Sequence, residues 1–239
     1  MLADGQTWGL TAVKRRSTTD HVLSELRAAI VSGRIGPRQP LRETALAQTL
    51  GTGRSAIREA VRHLVQEGLV EYRLNKGAFV RVLSVADVDD VYLAREAIEV
   101  SAVHHALRSE QPLDVEPLTA ALARITTAAL GTPTDQPPGT RLIAADLAFH
   151  HEMVRLSASP RLIRAHETLA AEAQMLMHHQ PVYSPTDYSA DHTVLLEAIV
   201  RRDSAAPDLV RDHLQLSAKL IAGEIARLTR TPEVELSER

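Results

Sequence analysis

The residues best suited to chemistry stand late in the chain. Asp146-Leu-Ala-Phe-His150 places a carboxylate and an imidazole at i and i+4. Side chains so spaced share one helix face and can converge on a single point. Oxygen and neutral nitrogen donors of this kind suit zinc, nickel or manganese. Two more histidines are spaced to join them: His192 lies about 11 residues before a break at Asp203-Ser204, and His213 about 9 residues after it. In an antiparallel hairpin rising about 1.5 Å per residue, the two reach nearly the same height. One carboxylate and three imidazoles from three helices would then ring a bundle interior and leave positions open to water or a ligand. A plainer reading stands beside this one. The chain holds 11 histidines, including the adjacent pairs His104-His105, His150-His151 and His178-His179, and a D-x-x-x-H pair also serves as an ordinary surface capping or salt-bridge pair.

A second constellation lies near the other end. In Arg54–Gln66, Ile57, Ala60, Val61 and Leu64 recur at i, i+3, i+4 and i+7, while Ser55, Arg58, Glu59 and Arg62 fall opposite and Arg54 opens the segment. A helix entering a DNA major groove needs an apolar back and a basic or hydrogen-bonding front. An amphipathic helix with a solvated charged face has the same pattern. Charge is unevenly divided. Residues 14–81 carry 13 Lys and Arg against 6 Asp and Glu, a balance of +7, which leaves −10 for the remainder. Only the first block suits a polyanion.

The elements that must position these residues are legible from periodicity and punctuation. Thr19 to Ser32 reads as a helix stopped at Gly33, and Pro37 and Pro40 keep the next segment extended. Arg42 to Leu50 is a short helix ended by Gly51, and Arg54 to Gln66 another, ended near Gly68. Leu69–Tyr72 and Ala78–Val82 read as strands about an Asn75-Lys76-Gly77 turn. That order is a winged helix-turn-helix. From Ser84 the pattern is helical. Ser84 and Asp87 cap a helix to about Ser109, Leu113–Leu130 forms a second, and Gly131–Gly139 is a Pro/Gly-rich loop. Helices follow at Arg141–Ser157, from Pro160 to about His179, from Ser184-Pro185 to near Asp203, and from Ala205 to about Arg230. The expected fold is mainly α, with a winged helix-turn-helix over 17–83 and an antiparallel all-helical bundle over 84–230. Residues 1–16 read as a loose arm and the tail beyond Pro232 as frayed.

Composition narrows the function classes. With 239 residues, 44% of them hydrophobic, the chain can bury a core in one large or two small domains. It has no cysteine, which excludes disulfides and thiolate zinc sites and fits a reducing cytosol. No run approaches the roughly 20 apolar residues of a membrane span, and Met1 to Arg16 holds no signal-peptide stretch. A cytoplasmic protein is expected.

The segment LAQTLGTGRSAIREAVRHLVQEGLV, followed by KGAFV, resembles the DNA-binding domain of the GntR family, over about sixty residues in all. The resemblance implies that Arg54 and Arg58 contact an operator, with Ser55 and Arg62 on the same face, and that Lys76 and Gly77 form a wing tip entering the minor groove. Family members often carry a basic residue where this chain has Thr44; either that contact is gone or Arg42 replaces it. Family members bind short palindromes as dimers, and doubling a small module across a two-fold axis gives useful specificity.

The second half resembles the FCD effector domain of the FadR subfamily, a bundle of six or seven helices. DLAFH, DHTVLLEAIVRRD and VRDHL carry the likeness. Metal-binding members use the residues aligned with Asp146, His150, His192 and His213. Arg95-Glu-Ala-Ile-Glu99 resembles the motif whose arginine faces the effector pocket, where a guanidinium would clamp a carboxylate. A helix-surface salt bridge between Arg95 and Glu99 is the alternative. The implied protein is a homodimeric repressor of palindromic double-stranded DNA, controlled by a small organic acid at a zinc or nickel site, with manganese as a third choice. One rival is a regulator whose effector site needs no metal. Another is a metal-dependent hydrolase, for which the sequence shows no adjacent general base, nucleophile elbow or phosphate-binding glycine loop.

Overall fold

A computed structural model describes residues 18–129, 138–179 and 185–230. The expected arm over 1–16, most of the Gly131–Gly139 loop, Ser184 and the tail beyond Pro232 lie outside the described residues. The chain divides into two compact units, one running to Gln66 and including Val70–Val80, the other holding Glu67–Leu69 and the residues from Arg81 onward. Among the described residues no helix is long and apolar enough to cross a membrane.

The first unit contains α1 (Thr18–Val31), α2 (Glu43–Thr49), α3 (Arg54–Gln66), β1 (Val70–Arg73) and β2 (Gly77–Val80). α1 packs on α3, and α2 packs on α3. The α3 stripe read from the sequence is the face that packs: Ile57, Ala60, Val61 and Leu64 are all buried. Burial of each large apolar side chain contributes about 1.5–3 kcal/mol. α2 ends where Gly51 takes φ +61°. The Gly51 N–H donates to Gln48 O at 3.3 Å, and the Thr52 N–H to Ala47 O at 3.0 Å. These are the two bonds of a Schellman cap, which needs a left-handed residue at that point. β1 and β2 are antiparallel, with Val70 opposite Val80 and Arg73 opposite Gly77. Asn75 at φ +58° and Gly77 at φ +93° turn the hairpin. The extended segment held by Pro37 and Pro40 runs along β2, where the Leu41 N–H donates to Ala78 O at 2.9 Å.

The second unit holds α4 (Val85–Arg108), α5 (Glu116–Ala129), α6 (Pro138–Arg155), α7 (Pro160–Met177), α8 (Pro185–Val200) and α9 (Ala206–Arg230). Ser84 and Asp87 form the capping box expected for α4. α4 packs against α9, α7 and α6, while α5 packs against α6 and α8. Val103, Leu118, Phe149, Met153, Ile199 and Ile221 are among the side chains closed off from solvent in its core. Two helix starts differ from expectation. α5 begins at Glu116 rather than Leu113, because Pro117 has no N–H to give and is tolerated only in a first turn. α6 begins at Pro138 rather than Arg141, since proline's fixed φ suits a first helical position.

Candidate metal centre and nucleic-acid face

Asp146 and His150 on α6, His192 on α8 and His213 on α9 come together. One ligand atom from each lies within 4.8 Å of the others. Donors about 2.0–2.2 Å from a common cation stand at most about 4.4 Å apart, so a few tenths of an ångström of contraction suffices. Asp146, His150 and His192 are buried, and His213 is partly so. His192 on α8 and His213 on α9 meet across their hairpin, with ring centroids 4.7 Å apart.

The donor chemistry fits a divalent cation. His192 Nδ1 lies 2.8 Å from the Tyr188 carbonyl. A carbonyl only accepts, so Nδ1 carries the proton and Nε2 presents a lone pair. That Nε2 is buried without a hydrogen-bond partner. It stands 2.9 Å from Asp146 Oδ1. Two acceptors at that distance need a positive charge between them. His150 is fixed alike: its Nδ1 donates to Glu99 Oε2 at 2.6 Å, which turns Nε2 toward Asp146 at 3.9 Å. The Tyr188 hydroxyl donates to Asp146 Oδ1 at 2.7 Å. Carboxylate and carbonyl partners that fix the tautomer of a ligating histidine are the usual second half of a metal site.

Without a cation, a proton balances the charges. Burial opposes it, but Asp146 raises the pKa of His192 above the ordinary histidine value. Burial likewise opposes ionisation of Asp146, and His150 and His192 outweigh it, holding its pKa well below the usual carboxylate range. Burial, then His192 and His150, keep the pKa of His213 well below ordinary, so its ring is neutral.

Arg95 and Glu99 on α4 do pair, with Arg95 Nε donating to Glu99 Oε1 at 2.8 Å. The pair is not on the helix surface as the alternative supposed: Arg95 is 2% exposed and Glu99 fully buried. The tertiary packing of α4 on α6 and α7 encloses it. Glu99 also accepts from His166 Nε2 on α7 at 3.2 Å. Burial raises the pKa of Glu99, but Arg95 and His150 outweigh it, holding it far below the ordinary value. Arg95 Nη2 remains buried with no hydrogen-bond partner. Burial disfavours the Arg95 charge, and Glu99 more than restores it.

In the other unit, Arg54, Ser55, Arg58 and Arg62 are exposed on α3 opposite its buried stripe, and Lys76 and Gly77 are exposed at the hairpin turn. Glu43 on α2 takes Arg58 Nη2 at 2.9 Å and Nε at 3.2 Å, and lies 3.9 Å from Arg54. Arg42 and Thr44 are both exposed beside it.

Residues 18–80 match the gntR family of bacterial regulatory proteins, and residues 90–216, more than half of the chain, match the FCD domain. The chain is a GntR-type transcriptional regulator with an FCD domain. The regulator is 29% identical over 201 residues to a probable D-xylose utilization operon transcriptional repressor of Paenarthrobacter nicotinovorans, covering 81% of this chain and 85% of the relative. It resembles a solved GntR transcriptional regulator of Rhodococcus sp. RHA1 with a TM-score of 0.74 and 25% identity, over 87% of this chain and 99% of that one. The fold also matches Escherichia coli McbR/YncC, with a TM-score of 0.68 and 20% identity over 90% of this chain and all of that one (100%). The gntR family is one of bacterial regulatory proteins and the Paenarthrobacter relative is a probable repressor, so the chain stands among regulators rather than enzymes, against the hydrolase reading.

Sequence reasoning on this regulator missed several side chains. Tyr188 stands four residues before His192, a spacing that places both on one face of α8 and could have flagged it. Glu99 was visible only as a partner for Arg95; its bond to His150 crosses 51 residues. His166 and Glu43 gave no local signal.

Proposed function

We propose that this regulator is a repressor that binds palindromic operator DNA as a homodimer and releases it when a small carboxylate binds a metal-bearing site in the FCD domain. Asp146, His150, His192 and His213 would hold zinc or nickel, with manganese third by donor type. The bound cation would supply a Lewis-acid anchor for the carboxylate. Arg95 would clamp the same group through Nη2. The observation that carries this reading is the four ligand atoms within 4.8 Å, on the same buried network as an arginine nitrogen with no partner. On the DNA side, Arg54, Ser55, Arg58 and Arg62 would face the major groove, and Lys76 and Gly77 would enter the minor groove at the wing tip. The domain boundaries that go with this reading are 17–83 and 84–230.

Uptake of the cation should depend on pH. The Asp146 carboxylate raises the pKa of His192, so a cation must displace the His192 proton. Below that raised pKa, affinity for zinc falls about tenfold per pH unit, and above it the dependence flattens. Competition titrations of zinc from pH 8 down to pH 5.5 measure this. A flat profile would count against His192 as a ligand.

Linkage supplies the test of control. If an acid weakens operator binding by some factor, operator weakens binding of that acid by the same factor, for coupling typically of about 1–3 kcal/mol. Titrating a panel of small acids into zinc-loaded protein, with and without a duplex selected in vitro, measures both. Equal affinities in the two series would end the proposal of acid-controlled release. A regulator whose acid site needs no metal is the second reading, favoured by the close Asp146–His192 pair that a proton alone can bridge. Chelation separates the two: acid binding survives it only in the second.

A further inference from the structure

Arg58 is exposed on the outer face of α3, and Glu43, the first residue of α2, reaches it where the two helices pack. The grip is side-on. Arg58 Nε donates to Glu43 Oε1 at 3.2 Å and Nη2 donates to Glu43 Oε2 at 2.9 Å, so each carboxylate oxygen takes one bond. A fork of this kind is the strong and geometrically specific form of an arginine–carboxylate contact. A guanidinium carries five N–H donors in one plane. The fork uses Nε–H and one N–H of Nη2. The end-on edge, where the other Nη2–H and one Nη1–H stand side by side, is left for DNA.

An edge with two parallel donors fits a partner with two adjacent acceptors. In the major groove only guanine offers that, as N7 and O6. Adenine sets an acceptor beside a donor, thymine an acceptor beside a methyl group, and cytosine shows a donor. A phosphate has two acceptors as well, but here it meets an anion. The Glu43 carboxylate, 2.9 Å from the guanidinium, already balances the arginine's charge. A phosphate therefore gains little net attraction at this point, while an uncharged base edge meets no such repulsion.

We infer that Glu43 is a positioning residue for operator reading: it holds Arg58 by one edge so that the other edge reads a guanine, and it keeps the arginine off the phosphates. This rests on the reading of α3 as the major-groove helix. Glu43 itself touches no base in this arrangement; it acts through Arg58.

The duplex for the test is one that the full-length protein selects from a random library, and the position to probe is the base pair at which Arg58→Ala relaxes preference. That pair should be G·C. Replacing its guanine with 7-deazaguanine removes N7 and keeps O6 and the pairing. Wild type should then lose at least about fivefold in affinity, and Arg58→Ala less than about twofold. Glu43→Gln keeps the shape, but one acceptor oxygen becomes an NH2 group that cannot hold the fork. It should cut the preference for guanine at that position from about tenfold or more to less than about threefold. It should also tighten binding to scrambled duplex and steepen the salt slope by about one, because the released arginine takes a phosphate. A carboxylate with a merely structural role would instead weaken all duplexes alike. A Glu43→Gln protein that keeps the guanine preference and salt slope of wild type, or weakens all duplexes alike, overturns the proposal. So does a base other than guanine at the Arg58 position, or a wild type indifferent to 7-deazaguanine; these two results stand even if Glu43→Gln misfolds. Failure to select any duplex, or an Arg58→Ala protein that keeps every preference, would instead overturn α3 as the reading helix, and this inference with it.

Discussion

Glu99→Gln is expected to destabilise the FCD domain by about 3–5 kcal/mol and to weaken zinc binding about 10- to 100-fold. Glu99 is fully buried and accepts from Arg95, His150 and His166 at once. Glutamine keeps the shape and loses the charge. Arg95, 2% exposed, is then a buried cation without a counter-ion, the costly half of a broken ion pair. His150 loses the charged acceptor that fixes its tautomer and makes Nε2 a good ligand. Urea unfolding of chelator-treated protein isolates the stability effect, and zinc competition isolates the second. Wild-type values in both would mean that Glu99 neither neutralises Arg95 nor orients His150.

Arg58→Ala is expected to lower operator affinity by about 1–3 kcal/mol and to relax preference at one base pair. Arg58 is exposed on α3, but Glu43 holds its Nε and Nη2. The guanidinium is therefore already ordered, and less entropy is lost when it meets a base edge. Alanine removes the reader and also leaves the Glu43 carboxylate uncovered beside phosphates. A glutamate carboxyl of ordinary pKa is ionised throughout the neutral range, so the repulsion persists there. Lys76→Ala should behave differently, weakening all sequences alike and reducing the salt slope by about one. Binding assays on duplexes selected in vitro and on scrambled controls separate these outcomes. No loss for either Arg54→Ala or Arg58→Ala would remove α3 as the reading helix.

What the sequence made legible follows from range. The α3 stripe, the Gly51 stop, the Ser84–Asp87 cap and the Asn75–Gly77 turn are local, and each was readable because a few adjacent residues decide the conformation. The cluster of Asp146, His150, His192 and His213 was readable because His192 and His213 are linked through a single helix hairpin, so register along two helices fixed their heights. Glu99 was harder. Its i+4 spacing from Arg95 suggested a surface pair, and only the packing of α4 against α6 and α7 shows that the pair is buried and bonded to two histidines. His166 on α7 and Glu43 on α2 act through contacts that no spacing encodes. The starts of α5 and α6 were misplaced by about three residues, α5 because periodicity ran ahead of Pro117 and α6 because Pro138 was read as loop rather than as a first helical residue.

The most direct test is a calorimetric titration of zinc into chelator-treated protein, run beside the His150→Ala/His192→Ala double variant. One ion per chain should bind wild type and raise its melting temperature, by up to about 2.7 kcal/mol of added stability when zinc stands at 100 times its dissociation constant. The double variant should show neither effect. Equal zinc binding by the two proteins, or none by wild type, would contradict a metal centre built on α6, α8 and α9.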